Sequence, residues 1–247
     1  MNTDTRRSGS VRWGMIGTGS IATGRGGKAL SMAPDSRLVN VMGRSREKAR
    51  ACAEAHGVER CTAHVDELLA DPEVDAVYVA TPPDVHAEYT VRAADAGRHV
   101  LCEKPMALTE DECERMIDAC ARNGVQLMIA YYRRFYPVVQ RMRELLSSPE
   151  FGEPVYARVL TSSMYHGRPT WKTDPAIGGG GYLPDNGSHR LDLLAYLLGD
   201  VAEVSAFIGT NYHAIEGDDS AAMLLRFANR AYGTVQFSWN TTERTDE

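Results

Sequence analysis

A short apolar run, Val11 to Ile16, passes directly into Gly17-Thr18-Gly19-Ser20-Ile21-Ala22. No other stretch limits the fold as strongly, because G-x-G-x-x-A between an apolar strand and a helix start is the dinucleotide fingerprint of a doubly wound α/β sheet. Gly17 permits the tight turn, Gly19 lets the backbone approach a pyrophosphate, and Ala22 lets the helix pack closely on the strand; Ser20 and Ile21 complete the binding turn. The helix N-terminus adds N–H donors and positive potential. Gly24, Gly26 and Gly27 fall inside the expected helix. Each costs about 0.8–1 kcal/mol relative to alanine, so the helix is expected to break or to begin again near Lys28.

Arg37 to Met42 reads as the second strand and ends at Gly43-Arg44-Ser45, where such a sheet selects between nicotinamide cofactors. No Asp or Glu stands there to bind a ribose 2'-hydroxyl. Arg44 can pair with a 2'-phosphate and Ser45 can donate to it, so NADP is favoured, with NAD the alternative. An exposed arginine at a helix start is the plain reading for Arg46 rather than for Arg44. Ser45 to His56 has helical composition, and Val65 to Leu69 reads as a short helix. Val74 to Ala80 is a continuous apolar strand of the kind buried on both faces. It delivers Thr81-Pro82-Pro83 to the carboxyl edge of the sheet, where ligands bind, and a helix follows from about Asp84 to Ala96. Thr81 and Pro82 are expected to line the cofactor. His86 is counted with them as a helix-start residue packed under the cofactor, rather than as a catalyst or metal ligand.

Arg98 to Cys102 forms the next strand and brings Glu103-Lys104-Pro105 to the same edge, Glu103 and Lys104 joining the cofactor-binding set. A charged pair before proline is also an ordinary way to end a strand, and its weight comes from the motifs on either side. Thr109-Glu110-Asp111-Glu112 reads as a capping box, followed by Cys113, Met116, Ile117 and Cys120 at helical spacing, and Val125 to Ala130 supplies a further strand. Residues 11–130 therefore describe an α/β Rossmann domain, a doubly wound parallel sheet.

The organisation changes at Tyr131-Tyr132-Arg133-Arg134-Phe135-Tyr136-Pro137, which crosses into a helix ending near Leu146. Tyr132 and Arg134 line a sugar-sized cleft or pack at a domain junction, and the residues alone leave both readings open. Pro154 to Ser163, Ala202 to Thr210, Ser220 to Phe227 and Ala231 to Trp239 read as strands. Residues 131–247 are thus expected to form an α+β domain with a mostly antiparallel open sheet. Among these strands lies the glycine run Gly178-Gly179-Gly180-Gly181, then Asp185 and His189 ahead of the apolar helix Leu191 to Leu198. Asp185 and His189 are four apart, so on a helical turn they share a face and the carboxylate can orient the imidazole, an acid/base arrangement. A helix start favouring Asp, with a satisfied histidine behind it, is the plainer alternative. Trp171 and Lys172, just before the glycine run, complete the substrate-facing candidates.

With 247 residues, 43% hydrophobic and 24% charged, the chain has enough apolar material for two ordinary cores. A formal charge of -6 argues against a general binder of nucleic acid or anionic membrane and favours a small-molecule partner. Cys52, Cys61, Cys102, Cys113 and Cys120 have neither C-x-x-C spacing nor an even count, so reduced thiols are expected, and neither a disulfide framework nor a metal site. Residues 1–10 are polar, carry Arg6-Arg7 and lead into no apolar signal run; a disordered tail and a cytoplasmic protein are expected.

Fingerprint, Thr81-Pro82-Pro83, Glu103-Lys104-Pro105, Arg134-Phe135 and the glycine run with Asp185 and His189 follow one another in an order that resembles the Gfo/Idh/MocA oxidoreductase family, from about Val11 to Trp239. The resemblance implies NAD(P)-dependent oxidation or reduction of a sugar, inositol or related polyol at a carbinol carbon. It implies Lys104 as the active-site lysine, Asp185 as a substrate-binding carboxylate and His189 as proton donor or acceptor. An imidazole, titrating near pH 6.5 when unperturbed, suits that proton transfer, and Lys104 would polarise the hydroxyl oxygen. The same resemblance extends to glycosidases that retain NAD and to non-catalytic dinucleotide-binding regulators; Lys104, Asp185 and His189 argue against the regulator, and Arg44 against the bound-NAD enzyme. Tyr132 stands where members often carry a smaller polar residue. Members normally continue past a strand like Ala231 to Trp239, whereas this sequence ends at Glu247. The expectation is either a fragment prone to aggregate, or a reduced second domain that forms a homo-oligomer through its sheet.

Overall fold

The computed structural model describes residues 9–165 and 170–246. Residues 1–8 of the expected tail lie outside the described residues. The chain divides into two compact units, one up to Ala130 and one from Tyr131.

In the first unit, strands β1 (Val11–Ile16), β2 (Ser36–Met42), β3 (Arg60–Thr62), β4 (Ala76–Val79), β5 (His99–Cys102) and β6 (Leu127–Ile129) form one sheet in the order β3-β2-β1-β4-β5-β6. Every pairing is parallel. This order reverses direction between β1 and β4, which opens the crevice where a doubly wound sheet takes its ligand. Alternation along the central strands divides their side chains between two cores. Met15, Val41 and Tyr78 enter one, while Ile16, Met42, Val77, Val79, Val100 and Cys102 enter the other. All four residues of β4 are buried, which explains its unbroken apolar sequence. β3 was not foreseen: three residues with one buried side chain carry no apolar pattern.

The helix after β1 is irregular, as the glycines require. A π-turn covers Ala22–Gly26, Gly24 leaves helical geometry at φ -99°, ψ -118°, and α1 (Gly27–Met32) starts one residue before the expected Lys28. Then follow α2 (Arg46–Ala55), α3 (Val65–Leu69), α4 (His86–Asp95) and α5 (Glu110–Arg122). Thr109 caps α5 by accepting the Glu112 N–H at 3.2 Å, while the Glu112 carboxylate accepts the N–H of Leu108 at 3.0 Å. That is a capping box displaced by one residue.

The second unit opens with a 3₁₀ turn at Tyr132–Phe135 and α6 (Pro137–Leu146). It contains β7 (Tyr156–Met164), the short α7 (Pro175–Gly178), α8 (Ser188–Leu198), β8 (Val201–Gly209), β9 (Ser220–Phe227), β10 (Tyr232–Ser238) and β11 (Asn240–Asp246). The sheet order is β11-β7-β10-β9-β8. Three pairings are antiparallel and β10 runs parallel to β7, so the sheet is mixed but mostly antiparallel. Leu194 and Leu198 of α8 pack with Met223, Leu225, Phe227, Val235 and Phe237 on one face. The other face exposes Tyr156, Leu224, Tyr232 and, at 86%, Phe207. β11 was not foreseen, since Asn-Thr-Thr-Glu-Arg-Thr-Asp has no apolar alternation. Among the described residues no helix is long and apolar enough to cross a membrane.

Candidate functional site

The first unit gathers its candidates at the carboxyl ends of β1, β2, β4 and β5. Gly17 turns the chain at φ +121°, and a Cβ there would fall 2.7 Å from the carbonyl carbon of Ala80, so β1 and the β4 loop approach each other only through glycine. Its N–H donates to the Met42 carbonyl at 2.9 Å. Above Gly19 a Cβ would meet nothing within 4 Å, which leaves the backbone of the turn open. Gly19 and Ser20 are exposed, Ile21 is half-buried and Ala22 is fully buried against the sheet. Arg44 is exposed at the end of β2, and Ser45 caps α2, its Oγ accepting the Lys48 N–H at 3.4 Å.

Thr81 and Pro82 follow β4, each half-buried. Thr81 Oγ1 is buried without a hydrogen-bond partner among the described residues. An orphaned hydroxyl is costly unless something satisfies it, and with the open turn at Gly19 it makes this edge fit a dinucleotide. His86, expected as a helix-start residue packed under the cofactor, is fully enclosed. Its ring is 0% exposed, with Nε2 2.9 Å from the Thr81 carbonyl oxygen and Nδ1 3.0 Å from that of Pro105. It lies beneath the loops, because both of its nitrogens face main-chain acceptors.

Glu103 is 8% exposed and faces inward: the Tyr78 hydroxyl donates to its Oε1 at 2.5 Å, and the Lys104 N–H donates to its Oε2 at 3.2 Å. The carboxylate therefore braces the loop while Lys104 itself is half-buried, joined to Pro105 by a cis peptide bond. Tyr78 was missed in the sequence because a strand reading treats it as one more apolar residue.

The second unit carries the other candidates. Asp185 lies in a π-turn, Leu183–Gly187, that runs into α8, and His189 lies in the first turn of α8. Lys172 Nζ donates to Asp185 Oδ2 at 2.9 Å, and Asn186 Nδ2 to the same oxygen at 3.3 Å. Lys172 is thus the cation beside the carboxylate, with its Nζ 5.7 Å from the centre of the half-exposed Trp171 ring. His189 is 4% exposed and meets the edges of Tyr132 and Tyr131, with ring centres 5.1 and 5.9 Å apart. Tyr132 consequently packs on the imidazole that it was expected to accompany. Of the two readings left open for Arg134, the geometry favours packing: its guanidinium makes a bidentate pair with Asp192 and lies 5.1 Å from the centre of the Tyr196 ring. This braces the 3₁₀ turn to α8 instead of presenting the charge to a substrate.

The last glycine of the run, Gly181, is explained by Asp218, a residue outside the sequence candidates. Its Oδ2 accepts the N–H of Leu183 at 2.9 Å and its carbonyl that of Tyr182 at 3.0 Å. Gly181, at φ +101°, has no room for a Cβ, which would fall 2.5 Å from the Asp218 nitrogen. Burial pushes the Asp218 carboxyl up to about 6, against the pull of these N–H donors, and neighbouring Asp219 pushes it further in the same direction. Among the described residues no cluster suited to a metal ion occurs.

Residues 11–131 match the model of an oxidoreductase family with an NAD-binding Rossmann fold, and residues 139–247 that of the GFO/IDH/MocA C-terminal domain. The chain is similar to oxidoreductase P35 of Formosa agariphila, with 33% identity over 96% of this chain and 75% of the relative. It is also similar to 1,5-anhydro-D-fructose reductase of Ensifer adhaerens, with 35% identity over 76% of this chain and 57% of that protein. A solved levoglucosan dehydrogenase in complex with NADH and levoglucosan superposes with a TM-score of 0.84 at 28% identity, over 96% of this chain and 69% of that one. The chain thus spans between about half and three quarters of these relatives' lengths.

Proposed function

The chain belongs to the Gfo/Idh/MocA oxidoreductase family, with its NAD-binding Rossmann fold, and from that premise we propose a dehydrogenase or reductase that acts on a carbinol or carbonyl carbon of a sugar or related polyol. The observation that carries the reading is the sheet order β3-β2-β1-β4-β5-β6 with Lys104 leaving the carboxyl end of β5, on the edge where the fingerprint turn and Thr81 also lie. The sugar-converting relatives support the substrate class.

Gly19, Ser20 and Ile21 would hold the pyrophosphate on the turn that Gly17 shapes and that Ala22 packs against the sheet, and Thr81 and Pro82 would border it. Arg44 supports NADP over NAD, because a guanidinium pairs with a 2'-phosphate and no acid competes at the strand end. When bound, the nicotinamide supplies the hydride acceptor or donor. Lys104 polarises the substrate oxygen, and His189 takes up or returns the hydroxyl proton. Asp185, held by Lys172, binds a substrate hydroxyl. Tyr131 and Tyr132 pack edge-on against the imidazole and restrain its ring. The exposed face with Phe207, Leu224 and Tyr232 supports association of two copies through this sheet.

The test is the absorbance change at the nicotinamide band when the protein meets a panel of sugars, inositols and their keto forms, with NADP(H) and NAD(H) compared. Turnover is expected with NADP(H), and Lys104→Ala and His189→Ala should each lower kcat by about 10²–10⁴ while remaining folded. Variants that turn over as fast as the parent protein would overturn these roles.

A further inference from the structure

Two loops at the ligand edge of the first unit, the one after β4 and the one after β5, are both contacted by one buried side chain. His86 lies at the start of α4, fully buried, between the carbonyl oxygens of Thr81 at 2.9 Å and Pro105 at 3.0 Å. Both partners are acceptors, so a ring nitrogen bonds to either only when it carries a hydrogen. A neutral ring donates to one carbonyl and an imidazolium to both. Burial pushes the imidazole below its ordinary range, while the carbonyls of Thr81, Pro105 and Met106 and the Glu103 carboxylate oppose that shift. In either state the ring stands within hydrogen-bond distance of a carbonyl on each loop, and it bonds both at once only as the imidazolium. On the far side of the second loop, Glu103 is held by Tyr78 and in turn holds the Lys104 N–H. Lys104 therefore lies between two anchors, Glu103 before it and the Pro105 carbonyl after it.

We propose that His86 is a positioning residue, which fixes the loop carrying Lys104 against the loop carrying Thr81 and so sets where the lysine ammonium stands relative to the dinucleotide edge. The proposal rests on the reading of Lys104 and Thr81 as site residues. An apolar core residue of equal size would fill the space, but it would leave every loop carbonyl that the ring bonds without its donor. Loops at the carboxyl edge of a parallel sheet have no ladder of their own, so such a side-chain link decides how rigidly they stand.

Three variants separate positioning from packing. His86→Asn keeps a donor near the Nδ1 position, facing Pro105. His86→Gln keeps one near the Nε2 position, facing Thr81. His86→Phe keeps volume and neither donor. Amide hydrogen exchange of the whole chain, read by mass spectrometry, should rise by about tenfold in His86→Phe for peptides covering both 81–85 and 103–108. In His86→Asn any rise should be confined to 81–85, and in His86→Gln to 103–108. Acetylation of Lys104 by N-hydroxysuccinimide acetate, followed by peptide mapping, should change rate in the Gln and Phe variants and keep the parent rate in Asn. Identical behaviour of Asn and Gln, or parent-like exchange in a folded His86→Phe, would overturn the proposal. NADPH binding to the parent protein, followed by cofactor fluorescence, tests the underlying reading by itself. Absent binding with the expected exchange pattern would sink the cofactor reading and spare the link, and normal binding with unchanged exchange would do the reverse.

Discussion

Replacing Asp218 with Asn should stabilise the protein at neutral and alkaline pH and do little in acid. The carboxyl of Asp218 is pushed up to about 6 from an ordinary value of 3.8, chiefly by burial. The sign follows from proton counting. Between about pH 4 and 6 the folded carboxyl keeps its proton while the unfolded one has lost it, so the native state binds more protons and stability falls as pH rises through that window. Above about pH 6 both are ionised and the cost is fully present. A shift of about 2 units at 1.4 kcal/mol each gives about 3 kcal/mol, and about 1–2 kcal/mol after solvent screening of a partly exposed group. Asn is neutral throughout and its amide oxygen can still accept the Leu183 N–H now bonded at 2.9 Å. Thermal unfolding by circular dichroism at pH 5 to 8 should show the variant gaining roughly 2–8 °C at pH 8, with the gain shrinking toward pH 5. Asp218→Ala, which removes the acceptor, should be less stable than Asn at every pH. A difference between Asn and the parent that stays constant with pH, or a variant less stable at pH 8, would refute the reasoning.

Gly17→Ala places a Cβ at φ +121° against the Ala80 carbonyl and should cost about 2–4 kcal/mol in urea unfolding, together with a loss of NADPH binding measured by fluorescence. Tyr78→Phe leaves Glu103 Oε1 without its phenol donor in a buried setting; a loss of about 1–3 kcal/mol is expected by the same unfolding measurement. Arg44→Ala should lower the NADPH affinity about tenfold or more and leave that of NADH nearly unchanged, read as the ratio of the two Kd values by titration. A ratio equal to that of the parent protein would remove Arg44 from cofactor choice.

The parallel sheet was legible because its signals are local and redundant. Val11 to Ile16 with the glycine turn specifies a strand, a turn and a helix start within a dozen residues, and the buried strand β4 carries its burial in four consecutive apolar side chains. The break in the first helix was readable for the same reason, from glycines alone. β3 and β11 were not, and the cause is common to both. Neither strand buries an apolar stripe: β11 joins the edge of β7 through main-chain pairing, and Asp246 at its end pairs with the buried Arg190. Such a strand is selected by the edge it completes, and that edge is assembled from residues about 80 positions earlier, a distance at which no periodicity is visible.

His86 and Arg134 show the corresponding limit for the site. Polarity is written in the sequence, but the direction in which a polar side chain points is decided by acceptors that the fold brings to it. Arg134 finds the Asp192 carboxylate 58 residues on, and His86 finds the Pro105 carbonyl 19 residues on. A bidentate guanidinium–carboxylate pair and a doubly contacted buried imidazole are each stronger arrangements than one with a nitrogen left facing water, so the fold takes them whenever the geometry permits. Glu103 obeys the same rule, turning toward Tyr78, whereas the neighbouring Lys104 stays half-buried on the same turn. Within Glu103-Lys104-Pro105, the first side chain and the last carbonyl hold the turn on either side of Lys104, the residue to which the proposed function assigns the substrate oxygen. Substitution of Glu103 should disturb the placing of Lys104 through the backbone, by releasing the N–H that the carboxylate now accepts at 3.2 Å.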